Sequence, residues 1–67
     1  MPIIRVELFP GRTRAQKRAL VHELTDAFVR TAGGKPEGVQ VVITEVEPAD
    51  WGSGGVLVAD KLEAKGG

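Results

Sequence analysis

The residues of this chain that could do chemistry begin with the proline at position 2. Removal of Met1 leaves Pro2 with a free secondary amine, a base that abstracts a proton without help from a metal. An α-amino group has a reference pKa of about 7.7 to 8.0, so partial burial can supply free base near pH 7. If Met1 is retained, the same nitrogen is an amide and cannot act as a base. The structural alternative is that Pro2 merely opens a strand, where a missing N–H does little harm.

Arg12 is the second candidate, and it follows a Pro10-Gly11 turn close to three further cations, Arg14, Lys17 and Arg18. Cations at the amino terminus of a helix oppose the helix dipole by roughly 0.3 to 1 kcal/mol each. A bound anion reverses that effect, and unpaired helix N–H groups beside a guanidinium suit a carboxylate. We interpret Arg12 as a carboxylate ligand; the alternative is a solvated arginine of the turn.

Trp51 is one of three aromatic residues and lies outside the main apolar patterns. It has two readings that the sequence leaves open, packing at an interface or forming a pocket wall that lowers the dielectric around a base. The Gly52–Gly55 run that follows lacks the lysine of a phosphate-binding loop and predicts a tight turn. Ser53 has no credible histidine and acid partners for nucleophilic catalysis. His22 stands among charged neighbours, which predicts a solvated side chain.

Two strands and a helix are predicted to position these residues. From Pro2 to Phe9 apolar residues alternate with Arg5 and Glu7, the period of a strand with one apolar face. Thr13 and Gln16 have the spacing of a capping box, which predicts a helix from Arg14 to Ala32 that Gly33-Gly34 ends. Residues 39–45 are again β-branched and alternating, so the chain predicts a βαβ unit with parallel strands.

The last third predicts a turn, a glycine-rich loop and a short apolar strand, which together form a carboxy-terminal β-hairpin or arm. The polar stretch from Asp60 to Gly67 is expected to fray. The fold class predicted is therefore α/β, in one domain over residues 1–67.

Length and composition exclude several classes of protein. A chain of 67 residues buries about 60% of its unfolded surface, which leaves folding alone marginal. With no cysteine and one histidine, neither disulfides nor a zinc site of the usual kind is expected to add stability, so self-association is expected instead. Zero net charge argues against a nucleic-acid partner, and neither a membrane span nor a signal peptide is recognised. We expect a cytoplasmic protein without metal or cofactor.

The length of the first strand constrains the site. Seven steps from Pro2 to Phe9 at roughly 3.3 Å per residue put its ends about 23 Å apart. One chain's Arg12 is therefore not expected to serve its own Pro2. A site that uses both residues is expected to be shared between chains.

The order of Pro2, Gly11-Arg12, a single helix, Ile43-Thr44-Glu45 and Trp51 before Gly-x-Gly-Gly resembles the 4-oxalocrotonate tautomerase family. The likeness extends from Pro2 to about Lys61. It implies an oligomer, commonly a hexamer built as a trimer of dimers, whose amino-terminal proline acts as general base and then as general acid. It further implies that Arg12 binds a substrate carboxylate and that Trp51 helps to wall the pocket.

The resemblance also exposes a departure at Gln40, because the family typically has a second arginine early in the second strand. An amide can donate a hydrogen bond to a developing enolate oxygen but brings no charge, and charge-assisted bonds are roughly twice as strong. The preference for diacids is therefore expected to weaken. Without that cation, the Pro2 amine is also expected to keep more of its proton.

The function expected is proton transfer on a small 2-hydroxy-dienoic or 2-oxo acid, a cofactor-free tautomerisation. Pro2 moves the proton, Arg12 holds a carboxylate, Gln40 is placed for the enolate oxygen and Trp51 excludes water. Two alternatives stay open. One keeps the fold and gives Pro2 a hydratase, dehalogenase or decarboxylase role, and the other is a non-catalytic oligomeric module.

Overall fold

The computed structural model describes residues 1–66, with side chains as far as Lys65. The elements run in the order β1, α1, β2, β3, β4 and α2, with single 3₁₀ turns at Pro36–Gly38 and Pro48–Asp50. Their bounds are Ile3–Leu8 for β1, Arg14–Ala32 for α1, Gln40–Glu45 for β2, Gly52–Ser53 for β3, Val56–Leu57 for β4 and Val58–Gly66 for α2. The predicted α/β class and the βαβ unit are confirmed.

Strands β1 and β2 pair in parallel, from Ile3 beside Gln40 to Leu8 beside Glu45. Even positions of β1 are half-buried and odd positions are exposed, as the alternation in sequence predicted. Lys17 of α1 pairs with Glu45 at 2.9 Å, so α1 covers the face of the sheet that carries Leu8 and Glu45. We call the opposite face the open face; it carries Ile3, Arg5, Glu7, Gln40, Val42 and Thr44.

Helix α1 has the bounds that its sequence signals predicted. The Thr13 hydroxyl accepts a hydrogen bond from the Gln16 backbone N–H at 3.1 Å, and the Gln16 side chain accepts one from the Thr13 N–H at 2.8 Å. Gly33 ends the helix at a φ of 87°, with its N–H donating to the carbonyl of Val29. A residue with a side chain is strained at that φ, which is why a glycine stands there.

The carboxy-terminal hairpin is also confirmed, since β3 and β4 pair antiparallel. Gly54 and Gly55 form its two-residue turn, with φ of 62° and 83°. Two consecutive positive φ values are the requirement of a type I′ turn, whose twist matches that of the flanking strands.

The polar tail contains a helix that the sequence did not predict. The chain forms helix α2 over Val58–Gly66; Gly67 lies outside the described residues, and the expected fraying of this segment stays a prediction. Good helix formers fill this stretch, and Asp60 in the first turn and Lys65 in the last complement the helix dipole. The helix also packs against the Pro48–Asp50 turn, a tertiary contact that composition does not reveal.

The isolated chain has almost no core. Val39, at 9% exposure, is the one apolar side chain classed as buried among the residues described. Ile3 and Val42 on the open face are 54% and 40% exposed, and Val56, Leu57 and Leu62 of the carboxy-terminal segment are exposed as well. The radius of gyration is 15.7 Å, against about 11 Å expected for a compact domain of this length.

The capping box provides a test of the fold. Replacing Thr13 by Ala removes the hydroxyl that accepts from Gln16, and we expect a loss of about 1 kcal/mol in the free energy of unfolding. Urea denaturation at one fixed protein concentration measures it, since association alters apparent stability. Arg18→Ala, an exposed change on the same helix, is the control and should shift stability by less than about 0.5 kcal/mol. An equal loss in both variants would contradict a role for the cap.

Candidate active site

The amino end of β1 brings Pro2 and Gln40 together. The Gln40 N–H donates to the Pro2 carbonyl at 2.9 Å, which extends the β1–β2 ladder by one bond beyond Ile3. Pro2 is half-buried, whereas Met1 is 91% exposed and accessible to an aminopeptidase. With Met1 present the Pro2 nitrogen is an amide, so any basicity at this position depends on its removal.

The other end of β1 brings Arg12 and Trp51 together through Phe9. The Arg12 guanidinium donates from Nη1 to the Phe9 carbonyl at 3.2 Å. The rings of Phe9 and Trp51 meet edge to face, with centroids 4.7 Å apart and planes at 62°. Arg12 is exposed and Trp51 is half-buried, so the guanidinium faces solvent beside an aromatic wall.

An open cleft of about 430 Å³ adjoins this wall. Glu7, Val46, Asp50, Trp51 and Gly52 line it. Its size suits a small molecule, but two carboxylates in its lining disfavour an anion. The interior of the cleft is therefore poorly suited to a substrate carboxylate, and Arg12 is not among the residues that line it.

Within one chain the two ends stay apart. Strand β1 has six residues, which span about 20 Å at the rise of a strand. The structure therefore brings Pro2 to Gln40, and it brings both Arg12 and Trp51 to Phe9, but it does not bring these two groups to each other.

Among the other charged residues, Lys17 and Glu45 have a structural role. Glu45 accepts the ion pair from Lys17, and this contact fastens α1 to β2. Lys17 is thereby neutralised, whereas Arg12, Arg14 and Arg18 make no ion pair with any described carboxylate. His22 is exposed on α1.

No group of three or more potential metal ligands occurs in residues 1–66, and over the same range no helix is long and apolar enough to cross a membrane.

Three residues near Trp51 were not singled out as site residues from the sequence, namely Phe9, Glu7 and Asp50. Phe9 and Glu7 belong to the odd positions of the first strand, so the alternation already assigned them to the face away from α1. Their proximity to Trp51 depends on how the chain after β2 returns across the end of the sheet. The Val46 N–H donates to the Leu8 carbonyl at 2.8 Å and so extends the β1–β2 ladder by one bond beyond Glu45. Sequence periodicity contains no signal for the path of the chain from there to Trp51.

Three features together define a class of small α/β subunits. They are a parallel βαβ unit, a short hairpin and a proline ahead of the first strand. A solved structure from a kinetic and structural characterisation of the 4-oxalocrotonate tautomerase isozymes of Methylibium petroleiphilum has a similar fold. It matches the present chain with a TM-score of 0.89 and 36% identity, over 94% of this chain and 98% of its own.

A family model described as tautomerase enzyme matches residues 2–61, so its match begins at the proline. A probable tautomerase of Ralstonia nicotianae is 50% identical over 56 residues, which cover 84% of this chain and 80% of that protein. Another, from Staphylococcus aureus strain MRSA252, is 41% identical over 61 residues, which cover 91% of this chain and 100% of that protein. The chain belongs to the tautomerase enzyme family, as its resemblance predicted, and its structural neighbours include 4-oxalocrotonate tautomerase isozymes and homologues.

The contact between Phe9 and Trp51 can be tested by fluorescence, because the chain has a single tryptophan. Phe9→Ala removes the ring that meets the indole edge. We expect the Trp51 emission to shift to longer wavelength and its quenching by acrylamide to increase, since water then reaches the indole. The control is Phe28→Leu, which alters the second phenylalanine of the chain. Phe28 lies on α1, so this change should leave the Trp51 emission unchanged. An unchanged spectrum in Phe9→Ala would mean that something other than Phe9 shields Trp51.

Proposed function

We propose that the protein is a cofactor-free tautomerase of small 2-hydroxy-dienoic or 2-oxo acids, with Pro2 as general base and general acid after removal of Met1. The observation that carries the proposal is that the family match begins at a half-buried proline opening β1. Membership of the tautomerase family supports tautomerase activity, and the position of Pro2 at the start of the family match supports it as the group that moves the proton. A secondary amine with a pKa near neutrality is suited to both halves of such a transfer.

The proposed reaction moves one proton. The Pro2 amine takes it from the enol hydroxyl, the oxygen becomes an enolate, and the protonated amine returns the proton to carbon as the carbonyl forms. Arg12 holds the substrate carboxylate, and its guanidinium fork suits that group. Gln40 donates a hydrogen bond to the developing oxyanion, and Trp51 excludes water, which strengthens each of these interactions.

We further propose that the site is shared between chains of a homo-oligomer. Pro2 and Arg12 lie at opposite ends of β1, so a small acid touching both needs them from different copies. The exposed apolar residues and the extended shape of the isolated chain support association. A hexamer arranged as a trimer of dimers is the assembly that the family resemblance implies.

The Gln40 amide bears on the substrate class. With a neutral group where the family typically has a cation, the proposed site is less suited to a second carboxylate, so a monoacid such as phenylenolpyruvate is favoured over a diacid such as 2-hydroxymuconate. The loss of that charge also raises the pKa of the Pro2 amine relative to a site with two cations.

A second candidate reaction is favoured by Glu7 and Asp50, which place two carboxylates in the cleft beside Trp51. A carboxylate at such a position is suited to orient or deprotonate a water molecule, which would make the same fold a hydratase of an unsaturated acid. The two reactions differ in their products, since hydration adds the elements of water and tautomerisation conserves mass. Mass spectrometry of the product distinguishes them.

The role of Pro2 is tested with the purified protein, first confirmed by intact mass to lack Met1. Pro2→Ala should lower kcat/KM for phenylenolpyruvate ketonisation by about 10²- to 10⁴-fold, the usual contribution of a general acid–base. Wild-type protein from which Met1 was not removed should be similarly inactive. Arg18→Ala on the exposed face of α1 should retain wild-type activity. Equal rates for wild type and Pro2→Ala would eliminate the proposal and favour a non-catalytic module.

The shared site is tested by mixing two inactive variants. Chains with Pro2→Ala and chains with Arg12→Ala are unfolded, combined in equal amounts and refolded into mixed oligomers. If each site takes Pro2 and Arg12 from different chains, about one quarter of the sites in a random mixture are intact and activity returns to that level. Each variant refolded alone is the control. Continued inactivity of a well-mixed oligomer would place both residues of a site in one chain.

A further inference from the structure

Arg5 is the one cation that β1 and β2 present on the open face. The register places Arg5 beside Val42, and this pair lies two residues along the strands from the pair formed by Ile3 and Gln40. Arg5 and Gln40 are therefore same-face neighbours on the diagonal. With about 3.3 Å per residue along a strand and about 4.8 Å between strands, their Cα atoms are about 8 Å apart. The long arginine side chain is able to cover that distance.

The charge of Arg5 has no compensating partner among residues 1–66. Neither of the two ion pairs uses it, and no side-chain hydrogen bond involves it. Its same-face neighbours on the paired strand are Gln40, Val42 and Thr44, which are uncharged. The nearest acid, Glu7, lies two residues along β1 on the same face, about 6.6 Å away at the rise of a strand. It lines the cleft beside Trp51 and makes no ion pair with Arg5. Arg5 is thus an exposed cation without an ion pair on the open face, two residues along β1 from the Ile3–Gln40 pair.

We propose that Arg5 binds the oxyanion of the substrate and supplies the positive charge that Gln40 lacks. The inference rests on the proposed function and assigns this binding role to a residue not placed in the site above. As the Pro2 amine removes the enol proton, negative charge develops on the 2-oxygen. The guanidinium of Arg5 and the amide of Gln40 donate to that oxygen together. They are neighbours in one sheet and act as a unit, whichever chain's Pro2 they serve.

The arrangement assigns the two cations different tasks. Arg12, beside Trp51, holds the carboxylate that the substrate keeps throughout the reaction. Arg5, near the Pro2 end, faces the oxygen whose charge appears only during proton transfer. A charge aimed at the developing oxyanion stabilises the transition state more than the ground state, so its loss lowers kcat. The matching substrate class is a 2-oxo monoacid or its enol.

The experiment transposes the charge between the two strands. Wild type, Arg5→Gln, Gln40→Arg and the double variant are compared for ketonisation of phenylenolpyruvate, with Arg18→Gln as the matched control on α1. Arg5→Gln should lower kcat/KM about ten- to hundredfold, as expected for losing a charge-assisted hydrogen bond. The double variant, which restores one cation to this site, should recover to within about threefold of wild type. Arg18→Gln should match wild type.

The pH profile provides a readout that a purely structural role would not change. Loss of a nearby cation favours the protonated form of the Pro2 amine, so the acidic limb of kcat/KM should move to higher pH in Arg5→Gln and return in the double variant. An unchanged rate in Arg5→Gln, within a protein whose activity depends on Pro2, would overturn the role of Arg5 alone. So would a loss that Gln40→Arg does not rescue, or one accompanied by a change in oligomer mass on light scattering.

Binding separates this inference from the proposed reaction. Calorimetric titration with phenylpyruvate should show weaker binding to Arg5→Gln than to wild type and recovery in the double variant. That result would support Arg5 as a ligand of the 2-oxo acid even in a protein without Pro2-dependent turnover, where the proposed function fails. Equal affinities for all four proteins, together with equal rates, would leave Arg5 no part in recognising the substrate.

Discussion

The parallel pairing of β1 with β2 is the constraint on which the remainder of the structure depends. Because side chains alternate along a strand, one register decides which residues meet α1 and which stay on the open face. The observed register places Ile4, Val6 and Leu8 on the covered face with Val41, Ile43 and Glu45. A slip by one residue would send Arg5 and Glu7 of β1 beneath the helix. The ion pair between Lys17 and Glu45 opposes such a slip, because it fixes the helix to one face of β2.

The same pairing explains why the chain is incomplete by itself. Two strands and one helix leave one face of the sheet without apolar cover, and α1 has no fully buried residue. A small sheet of this kind needs further strands or layers to be independently stable. The short hairpin and α2 do not provide them within one chain, since Val56, Leu57 and Leu62 are themselves exposed. Surfaces that a larger protein would bury internally are thus available here for other copies.

Local signals in the sequence were sufficient for much of this fold. The helix α1 begins after the Thr13 cap and ends at Gly33, and both signals act over a few residues. The turn at Gly54 and Gly55 is similarly local, since it depends on φ values that glycine adopts without strain. Helix α2 was missed because a polar, lysine-rich end is equally typical of a disordered tail. Its packing against the Pro48–Asp50 turn is tertiary and leaves no periodic trace.

The site was less predictable than the fold for the same reason. Pro2, Arg12 and Trp51 stand out by residue type and position, but the Phe9–Trp51 contact joins residues far apart in sequence. Strand length did predict that Pro2 and Arg12 are separated, because the rise per residue is nearly constant. The cleft that Trp51 lines could not be foreseen, since it depends on the path from Val46 to Gly52.

The charges around the sheet reconcile an acidic cleft with a proposed acidic substrate. Glu7 and Asp50 repel an anion from the middle of the cleft in the isolated chain. Lys17 does not offset them, because its charge is paired with Glu45. The arginines at positions 5 and 12 carry no such pairing; Arg5 lies within β1 and Arg12 lies beyond its carboxyl end. If the proposed function holds, an anionic ligand is expected to bind at these arginines and not in the middle of the cleft, and another copy is expected to contribute the other half of the site. In that proposal, the side chains that line the cleft beside Trp51 form one wall of the site.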